Sequence, residues 1–179
     1  MSIRHHSGLL VAMLAFVTGF APAQADDLAR GAEFLQPFKH QLQQTLMSGL
    51  QQGPEKAITA CQLQAPDIAA SLSVEGIVVG RASDRLRNPA NTTPEWVIPV
   101  LDAWLSESAD REPQIVTLAD NRRGYVEPIL LKPLCLTCHG SNLAPAVAAR
   151  ISELYPQDQA VGYDAGDFRG VFWIEYPAE

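Results

Sequence analysis

Cys135 and Cys138 are separated by two residues, and His139 follows at once. Each thiol of such a pair can add to one vinyl group of a porphyrin, which holds the adjacent imidazole beneath the iron as proximal ligand. C-x-x-C-H is therefore the covalent attachment pattern of a c-type haem. A structural zinc site is the rival use of the two cysteines, but it wants four ligands, usually from a second Cys or His pair. Only Cys61 and His40 remain outside the N-terminal segment, and they form no such pair. A Cys135–Cys138 disulfide would close a strained small loop and leave His139 without a role.

A six-coordinate iron would need a ligand on its other side, and the candidates are Cys61, His40, Met47 or water. His40 lies in a polar stretch and reads equally as a solvated surface histidine. Met47 adjoins an apolar stripe and reads equally as packing. Cys61 is either a small buried hydrophobe or an iron-bound thiolate. In an oxidising compartment an unpaired third cysteine is a liability unless buried or metal-bound. The polar tract 81–91 offers Arg81, Arg87 and Asn88 as candidate contacts for the haem propionates, because a guanidinium pairs with a carboxylate in a fork. The same tract can simply shape a turn at Asn88-Pro89.

The elements that position these residues follow from periodicity and punctuation. Leu28, Leu35, Phe38, Leu42, Leu46 and Leu50 keep helical spacing, with an interruption expected near Pro37. Gly53-Pro54 closes that helix and opens a second one, on which Ile58, Cys61, Ala65, Ile68 and Leu72 share an inward face, so the Cys61 thiol is expected to be buried. Ile77–Val79 reads as a short strand. Thr93-Pro94-Glu95 has the cap, first-turn proline and acid of a helix start. Ile115–Ala119 and Tyr125–Leu131 are β-rich and joined by a turn at Asp120-Asn121-Arg122. Residues 144–154 read as a helix and 171–176 as a last strand. Helices first and strands later, without βαβ alternation, indicate an α+β fold with an antiparallel sheet.

Residues 1–25 carry the marks of a signal peptide: Arg4 in a basic n-region, an apolar run over 8–20, and Ala23-Gln24-Ala25 as a small-residue cleavage site. The apolar run is short for a spanning helix, which needs about 20 residues. Export to the periplasm agrees with the haem motif, and no stable membrane insertion is expected once the leader is removed. The whole chain has a formal charge of −7. Loss of the leader removes Arg4 and leaves 12 basic against 20 acidic side chains, a charge of −8. Such a surface argues against nucleic acid as a partner. Residues 26–179 make one domain of ordinary size.

Four stretches resemble an exported c-type haem family catalogued as a domain of unknown function. They are Ala57-Ile58-x-x-Cys61 with Ala65-Pro66-x-Ile68-Ala69, Gly80-Arg81-x-Ser83 with Arg87-Asn88-Pro89-x-Asn91, Pro133-Leu134-Cys135-x-x-Cys138-His139-Gly140, and Gly162-Tyr163 with Gly166-Asp167-Phe168-Arg169-Gly170. The resemblance implies a PAS-like fold, an antiparallel sheet flanked by helices. It also implies one covalently attached haem c whose axial iron ligands are His139 and Cys61.

A thiolate stabilises iron(III) over iron(II), so a His/Cys pair implies a low reduction potential. Departure of Cys61 on reduction would suit a redox or diatomic-gas sensor, signalling through a partner protein. A low-potential electron carrier with a redox partner is the alternative. A haem enzyme such as a peroxidase ranks last, because no distal acid or base can be placed.

Overall fold

The final strand of the chain occupies an interior position of the sheet. The computed structural model describes residues 22–106 and 111–178. The elements run α1 (Pro22–Leu50), α2 (Pro54–Leu72), β1 (Val78–Ala82), α3 (Ile98–Ser106), β2 (Gln114–Leu118), β3 (Arg122–Leu130), a 3₁₀ turn (Pro133–Cys135), α4 (Leu136–His139), α5 (Pro145–Leu154) and β4 (Phe168–Pro177). The strands form one antiparallel sheet in the order β1-β4-β3-β2. This is the expected α+β class, a helix-flanked antiparallel sheet in a single domain, consistent with a PAS-like architecture. Of the expected leader, residues 1–21 lie outside the described residues, and 22–25 form the first turn of α1.

Side chains alternate between the two faces of the sheet, as the period of a strand requires. Val79, Tyr125, Ile174 and Tyr176 face α1 and α2 and pack with Leu35, Phe38 and Ile68. Ala82, Val126, Val171 and Trp173 face the other way and pack with Val97, Leu101 and Trp104 of α3 and its approach. Gly31 lets α1 settle on β3, since a Cβ there would stand 2.5 Å from the Tyr125 side chain.

Three expectations are corrected. α1 runs unbroken through Pro37, which is exposed. Leu35 and Phe38 on either side are 0% and 2% exposed. Burying each contributes about 1.5–3 kcal/mol, enough to offset a proline cost of about 3 kcal/mol. α3 begins at Ile98 rather than near Pro94, because Trp96 turns away to give its Nε1–H to Glu175 (2.7 Å) and to cover Gly124. β1 continues to Ala82, so Arg81 belongs to a strand rather than to the loop. Its place two residues after Val79 puts it on the α2 face of the sheet. No helix among the described residues is long and apolar enough to cross a membrane.

Candidate functional site

The Cys135–His139 stretch folds as a tight 3₁₀ turn running into one turn of α-helix. Pro133 fits the first position of that turn, where its missing N–H costs nothing. Gly140 ends the helix in extended backbone, its N–H bonded to the Leu136 carbonyl (3.0 Å). Cys135 packs against the cluster of Leu131, Ala160 and Tyr163, and Cys138 against Ile58, Val147 and Ile151. The motif thus bridges helices α2 and α5 on one side and the 158–163 loop on the other.

That loop clamps the motif. The Nδ1 of His139 is 2.7 Å from the Ala160 carbonyl oxygen. A carbonyl only accepts, so Nδ1 carries the proton and Nε2 keeps its lone pair. Burial, then the Arg87 and Arg169 guanidiniums, push the imidazole pKa down to about 3, so the ring is neutral at physiological pH. The Tyr163 N–H bonds the His139 carbonyl (3.0 Å), and Gly162 bonds Gly140 (3.1 Å). Arg87 ties the assembly together. It makes a fork to Asp158 (3.1 and 3.2 Å) and donates to the carbonyls of Cys138 (2.6 Å) and Ala160 (3.2 Å). Asp158 also accepts the Ala160 N–H (2.9 Å). The pair is buried but fully engaged, the condition under which a buried ion pair is tolerated.

Cys61 lies on α2 one turn beyond Ile58, the residue whose cluster includes Cys138. Its thiol is half-buried rather than fully buried, because it sits where α2 overhangs the motif instead of the sheet. Burial raises its pKa, while Arg81 and then Arg87 oppose the rise. Cys138 is raised chiefly by burial and feels both Arg87 and Cys61. The structure therefore brings Cys61, Cys138, Arg81 and Arg87 into one electrostatic neighbourhood. His40 and Met47 are exposed on α1. Asn88 turns its carbonyl oxygen to the Ala90 N–H (3.0 Å) and lines a groove with Gln62, Pro66 and Tyr155.

Arg81 is different in kind. Burial lowers its pKa, opposed by Cys61 and Tyr155, and among the described residues no carboxylate or hydrogen bond answers it. Asp158, Ala160, Tyr163 and Arg169 complete the surroundings, and none of them was given a role from sequence. Only Tyr163 and Arg169 carried a signal, as members of the fourth motif.

The donor set fits the haem c that the motif implies: free thiols on the motif, a neutral imidazole with an open Nε2, and a third thiol and a cation nearby. Among the described residues no three His, Cys, Asp or Glu side chains gather to hold a metal ion.

The model of the Tll0287-like family matches residues 22–177. Among solved structures, the cyanobacterial haem protein Tll0287 aligns with a TM-score of 0.59 at 24% identity, over 85% of this chain and 95% of that one. The likeness establishes a shared fold. Among curated proteins none matches.

Proposed function

The chain belongs to the Tll0287-like family, and on that premise we propose that it is an exported, periplasmic monohaem protein of the c type, acting as a redox or diatomic-gas sensor. Cys135 and Cys138 carry the haem, His139 is the proximal ligand and Cys61 the opposite one. The observation that carries the reading is the His139–Ala160 hydrogen bond, which fixes the tautomer and presents Nε2 as a neutral ligand, as outer-shell partners of metal-bound histidines do. The solved relative, itself a haem protein, supports the cofactor. When bound, haem supplies a one-electron iron centre that can take a diatomic gas.

The chain's own part is to hold a proton at one atom and to leave another free to gain one. Ala160 keeps the proton on Nδ1 of His139. At Cys61 burial outweighs the opposing pull of Arg81 and Arg87, so the free sulfur favours its protonated form. Were iron to hold this sulfur as thiolate, its release on reduction would take up one proton and leave the neutral thiol, the two-state element a sensor needs.

Optical and EPR spectra of the purified protein test this, taken oxidised, reduced, and reduced with CO. A low-spin oxidised spectrum and a CO adduct with Cys61 displaced are expected. Colourless protein from a host able to mature cytochromes refutes the haem assignment. Retention of both ligands on reduction, with no CO binding, turns the reading to the electron carrier.

A further inference from the structure

Arg81, Arg85, Arg87 and Arg169 surround the motif of a chain that is acidic overall, and their partners separate them into two kinds. Arg87 is neutralised by Asp158. Arg85 is taken up by backbone carbonyls, Nε to Gln159 (3.0 Å) and Nη2 to Val161, with its guanidinium 4.1 Å from the centre of the Tyr163 ring. Arg169 donates Nη1 to the Ser83 hydroxyl (2.7 Å), and among the described residues Arg81 makes no hydrogen bond. Among the described residues neither Arg81 nor Arg169 has a carboxylate partner.

Both are partly withdrawn from water, and burial lowers the pKa of each. A cation so placed is costly until an anion matches it. The two are within electrostatic reach of each other and of Arg87. A third orphan stands with them: the hydroxyl of Tyr163, a residue 4% exposed, has no hydrogen-bond partner among the described residues. The ring of Tyr163 lies 5.7 Å from the Arg169 guanidinium and edge-on to His139 at 6.5 Å.

We propose that Arg81 and Arg169, with the Tyr163 hydroxyl beside Arg169, hold the two haem propionates, and that Arg87 and Asn88 shape the loop instead. The assignment rests on the haem reading above. Two guanidiniums with no carboxylate at ion-pair distance among the described residues meet a ligand that brings two carboxylates, and an arginine binds a carboxylate as a planar fork. Arg87 has already committed Nε and Nη2 to Asp158 and the backbone, and Asn88 has turned its acceptor to Ala90.

Resonance Raman spectra of the holoprotein read the propionate bending bands directly. Arg81→Gln is expected to shift one band and Arg169→Gln the other, with Tyr163→Phe moving the Arg169-sensitive band by less. Arg81→Lys and Arg169→Lys should return the bands part of the way, and Arg122→Gln, at the end of β3 opposite the one that leads to the motif, should move neither. Bands unmoved in both glutamine variants overturn the assignment. If a glutamine variant does not accumulate, side-chain NMR of the wild-type holoprotein decides. Guanidinium protons of Arg81 and Arg169 that exchange more slowly than those of Arg122 support it, and equally fast exchange overturns it. A colourless wild-type protein overturns the haem reading and this inference together, whereas coloured protein with unmoved bands overturns this inference alone.

Discussion

Arg87 and Asp158 form a two-pronged ion pair, 3.1 and 3.2 Å, directly behind the backbone of Cys138 and His139. Their side chains are 13% and 7% exposed, so water cannot replace either partner cheaply. Asp158→Ala should therefore destabilise the protein by about 3 kcal/mol, the scale for an uncompensated buried charge. Urea unfolding measures it. A cost below about 0.5 kcal/mol, the scale of an exposed pair, would show that the clamp contributes nothing. The Arg87→Met, Asp158→Ala double variant should lose less than the two single losses added together.

Cys61→Ser should convert the oxidised haem from a low-spin, sulfur-ligated spectrum to a high-spin or water-ligated one. The hydroxyl keeps the size but not the affinity of a thiolate for iron. An unchanged spectrum would assign the sixth position to another residue, and the exposed His40 and Met47 would then be tested by the same substitution.

Alkaline stability should depend on Tyr176. Its hydroxyl donates to the Asp27 carbonyl (2.7 Å), and burial followed by the Asp27 charge pushes its pKa up to about 12 from an ordinary value of 10.0. Between those values the unfolded chain has released the proton and the folded one has not. The contribution is whole below about pH 10 and is lost as pH rises toward 12. Urea midpoints followed through that window should fall less steeply in Tyr176→Phe than in the wild type.

Gly31→Val should cost about 1–3 kcal/mol, the usual range for overpacking. The added Cβ would stand 2.5 Å from Tyr125, and the helix must lift away from β3 to admit it. Thermal unfolding of this variant against the wild type is the check, with an equal midpoint ruling out close contact between α1 and the sheet.

How far the sequence foretold these features depended on whether the cause was local. Asp120 and Asn121 form the expected hairpin turn with φ of 55° and 53°, the conformation their short polar side chains tolerate. Pro54 opens α2 where a proline belongs, and α5 starts within one residue of its expected place. Trp96 misled because its partner, Glu175, is 79 residues away, beyond any local pattern. Pro37 misled because burial across the sheet outweighed its local preference. In the site, Cys135, Cys138 and His139 were legible as a spacing. The acceptor for His139 was not, since any residue could supply the Ala160 carbonyl. Arg169 lay in a recognisable motif, yet only the tally of unmatched charges brings it forward.

β4, an interior strand of the sheet, lies downstream of Cys135 and Cys138 in the chain. A polypeptide that emerges N-terminus first thus offers both thiols while β1 still lacks a neighbour. The sheet is completed only when Phe168–Pro177 slots between β1 and β3, so both thiols are in place before the fold that half-buries them can form.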